Sequence, residues 1–222
     1  MEHILTFDIE TTGIPSERNI TPTADNTNIW DNARVIQLAY VIGDPITGVV
    51  VKESSHLILP SGTFHISPEN SKIHGYSADQ VLQGVEIQSV LSEMYADFSR
   101  FKVSKMVSHN IAFDYNVLLS EIMRCGMLGN ASTMSSFHFH DLLSAFSAMQ
   151  KYCTMQNSCD ITKLSPKRWG AYKYPKLVEL CHHFNIPVES NSLHSALYDA
   201  KKAWECFLAL LHHRTRNCRL PV

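Results

Sequence analysis

Asp8 and Glu10 stand two residues apart, directly after the apolar run His3-Ile4-Leu5-Thr6-Phe7, near the start of a 222-residue chain. Side chains alternate across a strand, so both carboxylates project from one face, with Cβ atoms close enough to share a cation. Two like charges on a buried sheet are costly unless something positive neutralises them. A hard divalent metal would do so. The plainer alternative is a strand end whose acids face water.

Two further acids interrupt apolar helical stripes. Ile111, Leu118, Ile122 and Cys125 share one face of a helix at 100° per residue, and Asp114 falls on that face. An acid inside a buried stripe breaks the binary pattern, and such breaks concentrate at functional sites. The competing account is an acid bonding locally in the first helical turn. In the last helix Asp199 is flanked by Ala196, Ala200 and Ala203, whose small size lets the helix press Asp199 towards the sheet. His194 precedes Asp199 by five residues, which on a helix is a turn of about 140°. It therefore belongs at the helix start, where the chain aims it independently.

Four carboxylates from three remote segments suit two divalent cations a few ångströms apart, the arrangement used for in-line displacement at phosphorus. Oxygen-only ligands indicate Mg²⁺ or Mn²⁺ and not zinc, and no Cys/His quartet has zinc-ligand spacing. A neutral histidine can take the proton of an attacking water.

These residues need a scaffold. His3 to Glu10 reads as a buried strand. A long polar loop runs from Ile14 to about Asn32, with Trp30 either a stacking platform or a plug over the core, the plug being favoured. Val35–Ile42 and Val49–Leu59 supply two more strands, completing an antiparallel meander. Helices follow: one opened by Ser67-Pro68 and closed by His74-Gly75, one capped by Ser77, and an amphipathic one through Val90, Leu91, Met94, Phe98 and Phe101. Lys105–Ser108 is a short strand ahead of the Asp114 helix. Phe137-His138-Phe139 is expected to form another strand, with Asp141 capping a helix through Met149. From here strand and helix alternate, which argues parallel additions to the meander.

Residues 151–175 read as a less regular insertion. Lys163, Lys167, Arg168, Lys173 and Lys176 are interleaved there with Trp169, Tyr172 and Tyr174, without an acid between 163 and 176. Basic groups and flat aromatics suit a nucleic-acid single strand through phosphate pairing and base stacking. A solvated loop pinned by its aromatics fits equally well.

The formal net charge of −2 excludes a global basic field, so nucleic-acid binding has to use a local patch. Cys125, Cys153, Cys159, Cys181, Cys206 and Cys218 are scattered without C-x-x-C spacing, as expected of reduced thiols in an intracellular, reducing compartment. No apolar run is long enough for a membrane span, and the first residues do not read as a signal peptide.

Asp8-Ile9-Glu10-Thr11-Thr12-Gly13, then His109-Asn110 to Phe113-Asp114, then His194 to Asp199-Ala200 resemble the three sequence motifs of the DEDD exonucleases. The position of His194 resembles the histidine subtype, which includes polymerase proofreading subunits, RNase T and oligoribonuclease. Lys72-Ile73-His74-Gly75 and Leu177 to Ile186 match as well, so the likeness spans nearly the whole chain in order. The resemblance implies a ribonuclease H-like α/β fold: a five-stranded mixed sheet, its first three strands antiparallel, with helices on both faces, as a single domain over 1–222. It implies two-metal 3′→5′ hydrolysis releasing nucleoside 5′-monophosphates. Asp8, Glu10, Asp114 and Asp199 would be metal ligands and His194 the general base. Thr11, Thr12 and Gly13 would lie under the terminal nucleotide, with Asn110 and Phe113 shaping the site.

The 14–32 loop and the 151–175 insertion depart from the pattern and bear on substrate choice. Of the 151–175 insertion, Lys167, Arg168, Trp169 and Lys173 are the expected strand contacts. DNA is the favoured substrate, as single-stranded or frayed 3′ ends, and a DNA polymerase is a candidate partner. An exoribonuclease for short RNA, or an idle nucleic-acid-binding module, are the alternatives; the oligomeric state is left open.

Overall fold

A computed structural model describes residues 2–17, 20–128, 136–166, 170–189 and 195–217. Its elements, in chain order, start with β1 (His3–Thr11), β2 (Val35–Gly43), β3 (Val50–Leu59), α1 (Pro68–His74), α2 (Ala78–Val81), β4 (Val85–Glu86) and α3 (Ile87–Arg100). They continue with β5 (Val103–Ser108), α4 (Ile111–Leu128), α5 (Ser136–Ala148), β6 (Gln150–Cys153), α6 (Thr154–Thr162), α7 (Leu177–His183) and α8 (Ala196–Asn217). The sheet has six strands in the order β4-β3-β2-β1-β5-β6, one more than expected; the two-residue β4 makes the difference. β1, β2 and β3 form the antiparallel meander, while β5 runs parallel to β1 and β6 parallel to β5.

Alternation sorts the central strands onto two cores. Leu5, Phe7 and Ile9 of β1 and Leu38, Tyr40 and Ile42 of β2 face the larger core, built with α3, α4 and α5. Ile4 of β1 and Val41 of β2 face the other side, where α7 and α8 bring Leu180, Cys181, Trp204, Phe207 and Leu210. Asp8 and Glu10 share the parity of Ile4 and so lie on the α8 side. That side of β2 is kept low. Ala39 is fully buried, and a Cβ on Gly43 would sit 2.3 Å from the Trp204 ring. Buried Ala196, Ala200 and Ala203 complete the close approach from the helix.

Local signals read from the sequence operate as physics requires. Ser67 Oγ accepts from the Asn70 amide at 3.1 Å, Pro68 opens α1, and Gly75 closes it at φ 79°, the left-handed region that favours glycine. Trp30 is a plug, 2% exposed within the larger core.

The strand expected at Phe137–Phe139 is instead the start of α5. Three residues with alternating aromatics are too few to define a period. Phe139, Leu142, Leu143 and Phe146 recur at helical spacing and all pack on the larger core. The strand in this part of the chain is β6, inside the stretch read as irregular, and α6 follows it directly. Among the described residues no helix is long and apolar enough to cross a membrane.

Candidate active site

Pairing between β1 and β5 runs as far as Thr6↔Val107 and then stops. Past that point the strands part, and the crevice at the carboxyl ends of β1 and β5 is where a sheet whose order reverses offers a ligand site. Asp8 and Glu10 face it from β1. Asp199, in the first turn of α8, comes down from the helix layer, and one carboxylate oxygen from each of the three lies within 4.8 Å of the others.

Asp114 reaches the same place from the opposite layer, through the first turn of α4. It is 4% exposed and accepts hydrogen bonds from the Ser108 hydroxyl at the end of β5 and from the Ile9 amide. The sheet thus gathers all four acids, with Asp8, Glu10 and Asp199 as the tight group and Asp114 beside it.

The electrostatics match a site built for added positive charge. Burial, then repulsion from Asp114, Asp199 and Glu10, holds the Asp8 carboxyl well above the usual carboxylate range. Burial, then repulsion from Asp199 and Asp114, pushes Glu10 up to about 8. Asp114 is raised to about 7, mainly by burial, although the Ser108 hydroxyl bond pulls the other way. Among the described residues no Lys, Arg or His forms an ion pair with Asp8, Glu10 or Asp114. A hard divalent cation fits this all-oxygen, under-neutralised donor set.

The loop after β1 is tied down from several directions. Thr12 is buried: its Oγ1 donates to Asn32 O and accepts from the Arg34 amide, and Asn70 Nδ2 donates to its carbonyl at 2.5 Å. Thr11 Oγ1 donates to Gly13 O at 2.7 Å, and a Cβ on Gly13 would stand 2.8 Å from Asn32 O, so only glycine fits that close pass. Thr12 therefore has both its hydroxyl and its carbonyl engaged within the protein. Asn110 holds φ at 78°, an unusual conformation for a side-chain-bearing residue and one that clusters at functional sites. With Phe113 it lines a cleft of about 430 Å³, completed by Ile14, Pro15, Trp30 and Asn116.

His109, next to Asn110, is a structural clasp. Its Nε2 meets Pro175 O at 3.0 Å and its Nδ1 meets Thr154 Oγ1 at 2.9 Å. Burial lowers its pKa to about 4, so it is neutral at ordinary pH and joins the Asn110 turn to α6 and to the segment before α7. Of the expected basic contacts, Lys173 pairs with Glu179 at 2.5 Å, an acid just beyond the stretch read as acid-free. Lys167, Arg168, Trp169 and His194 lie outside the described residues.

Sequence reasoning passed over Arg34, Glu121 and Gln37. Arg34 and Glu121, 4% and 1% exposed, form a two-pronged buried ion pair, at 2.6 Å from Nε and 3.0 Å from Nη2. Arg34 also donates to Ser61 O, and so fastens the loop carrying Thr12 to β3 and α4. The available signal was a charged residue on each of two apolar faces, but nothing local pairs residues this far apart.

Known proteins resemble this chain in sequence and in fold. Ribonuclease T of Histophilus somni is 28% identical over 176 residues, covering 74% of this chain and 68% of that protein. Among solved structures, a 3′-exonuclease described in specific recognition of the histone mRNA stem-loop superposes with TM-score 0.63 at 14% identity, over 96% of this chain and 82% of that one. Exonuclease X in complex with 5′-overhanging duplex DNA gives 0.58 at 21%, over 97% and 93%. E. coli Exonuclease I in complex with a dT13 oligonucleotide gives 0.65 at 13%, over 98% and 42%. At these identities the structural likenesses speak for the fold alone. Residues 5–207 match the family described as Exonuclease, RNase_T. With four acids gathered on a ribonuclease H-like sheet and that match over most of its length, the chain belongs to the RNase_T exonuclease family.

Proposed function

We propose that this exonuclease is a two-metal 3′→5′ enzyme acting on DNA at single-stranded or frayed 3′ ends, releasing nucleoside 5′-monophosphates. The observation that carries the reading is the meeting of Asp8, Glu10 and Asp199 oxygens within 4.8 Å at the open end of the sheet. In this reading Asp8, Glu10, Asp199 and Asp114 hold two divalent cations, Mg²⁺ or Mn²⁺. When bound, such ions activate a water and support the leaving oxygen of a phosphodiester.

The chain's own residues supply the rest. Ser108 and the Ile9 amide orient Asp114. The tied Thr11-Thr12-Gly13 turn forms a floor under the terminal nucleotide, and Asn110 and Phe113 line the cleft beside it. His194, placed by sequence ahead of α8, takes the proton of the attacking water. Lys167, Arg168, Trp169 and Lys173 follow the strand leading to the site. The whole chain acts as one exonuclease domain, and a DNA polymerase is the partner a proofreading role would require.

A second reading, an exoribonuclease trimming short RNA, is favoured by the ribonuclease T relative. Such a site has to sense the 2′-hydroxyl. The deciding experiment is degradation of 5′-labelled single-stranded DNA, duplex DNA and RNA with Mg²⁺, Mn²⁺ or EDTA, with Asp8→Ala as control. A ladder shortening from the 3′ end on DNA, abolished by EDTA and by the substitution, is the expected result. Faster shortening of RNA selects the second reading. Strand binding without shortening of any substrate would overturn both and leave a binding module.

A further inference from the structure

Gln37 stands directly across the β1–β2 ladder from Glu10. Directly opposed residues of an antiparallel pair point to the same face, so Gln37 rises on the α8 side, among the acids. It is 6% exposed. Its Oε1 accepts from the Ala196 amide at 3.0 Å, and its Nε2 donates to Ser55 Oγ at 3.4 Å.

Ala196 is the first residue of α8, where opening amides have no acceptor within the helix. The ordinary acceptor is a capping side chain immediately upstream. Here a sheet residue 159 positions earlier supplies one. A local cap would stabilise the helix wherever it lay. A cap offered by the sheet also fixes where the helix lies. Asp199 follows Ala196 within the same turn, and Glu10 is the cross-strand neighbour of Gln37, so one side chain relates the two ligand-bearing elements. Farther along β2, Gly43 receives the Trp204 ring and sets the second point of contact. Two points define a line, and α8 is held in both position and direction.

We propose that Gln37 is a positioning residue: by capping α8 from β2 it sets Asp199 at cation-holding distance from Asp8 and Glu10. An amide suits the place, because it accepts from Ala196 and donates to Ser55 without adding charge beside Glu10. The proposal rests on reading the acids as cation ligands, and its test keeps the two apart.

The test is titration of the full chain with Mn²⁺ alone, followed by electron paramagnetic resonance, alongside amide hydrogen exchange at the start of α8. In wild type, Mn²⁺ should bind and should slow exchange of the Ala196 amide, since coupling between the two sites is reciprocal. Gln37→Met, similar in length but without an acceptor, should weaken Mn²⁺ binding by roughly tenfold, the loss typical of a removed outer-shell partner. It should also speed exchange of Ala196. Gln37→Glu, which retains the acceptor, should restore slow exchange. Unchanged Mn²⁺ affinity in folded Gln37→Met overturns the proposal, even if that variant melts earlier. If Gln37→Met does not fold, an Ala196 amide in wild type that is indifferent to Mn²⁺ overturns it equally. A wild type that takes up no Mn²⁺ at all overturns the cation reading itself, and the proposal with it.

Discussion

Buried and half-buried acids occur in two kinds of surroundings in this molecule. Glu121 is gripped by Arg34, and Asp97 accepts from Tyr40 at 2.8 Å with Lys52 at 3.6 Å. Glu93, beside Asp97, is raised by burial but lowered more by the hydrogen bonds from Lys52 and Ser54, and ends below its ordinary value. Asp8, Glu10 and Asp114 are all pushed upward instead. Among the described residues the chain sets its own cations beside the first group and forms no ion pair with Asp8, Glu10 or Asp114, which is what the proposed cation site requires. Upward-shifted carboxyls without an ion pair among the described residues set the proposed site apart from the paired acids, a distinction that burial alone does not make.

Removing an acid should therefore have opposite consequences in the two regions. Asp8→Asn should reduce turnover by at least about 10³-fold, the several kcal/mol that metal-supported charge stabilisation supplies. The same change should leave the melting temperature of the metal-free protein equal or higher, because it relieves repulsion. Glu121→Ala should cost about 3–5 kcal/mol of stability by stranding the Arg34 charge, measured by denaturant unfolding. A tolerant Glu121→Ala, or a destabilised Asp8→Asn, would erase the contrast.

Gly43→Ala tests the close helix approach that brings Asp199 to the sheet. Its methyl would meet the Trp204 ring, and an overpacking cost of about 1–3 kcal/mol is expected, with weaker metal binding as α8 shifts. A wild-type melting curve and metal titration would show that α8 has room to spare.

The pH dependence should also separate the two groups. Glu10 ionises at about 8 in the fold, against 4.5 when unperturbed, so between those values the folded state binds more protons. Metal-free stability should fall as pH rises through that window, by up to about 5 kcal/mol, and saturating Mg²⁺ should cancel the fall. Glu93, with its lowered value, has the opposite sign: its contribution is present above the unfolded pKa and is lost in acid. Urea unfolding at several pH values, with and without Mg²⁺, checks both. A metal-free stability that rises from pH 5 to 8 would contradict the uncompensated state of the cluster. The smallest expected effect belongs to the local scaffold: Ser67→Ala should cost about 1 kcal/mol by removing the cap of α1.

Much of this was legible in the order of residues. The period of a strand put Asp8 and Glu10 on one face, and the period of a helix marked Asp114 and Asp199 as acids on apolar stripes. These are local regularities, and a local regularity needs no knowledge of the rest of the chain. Short patterns were less reliable for the same reason. Phe137-His138-Phe139 offered three residues of alternation, and the helical spacing of Phe139, Leu142 and Phe146 against the larger core prevailed.

Tertiary structure alone decided the partners. The sequence by itself determined that four acids were placed to meet a sheet, and of what chemical kind they were. It did not determine that Arg34 neutralises Glu121 and leaves Asp8 alone, nor that Gln37 caps a helix 159 residues away. Spacing in sequence encodes which face a side chain takes on its own element. Which other element closes over that face, and so which charge meets a partner, depends on packing the whole chain.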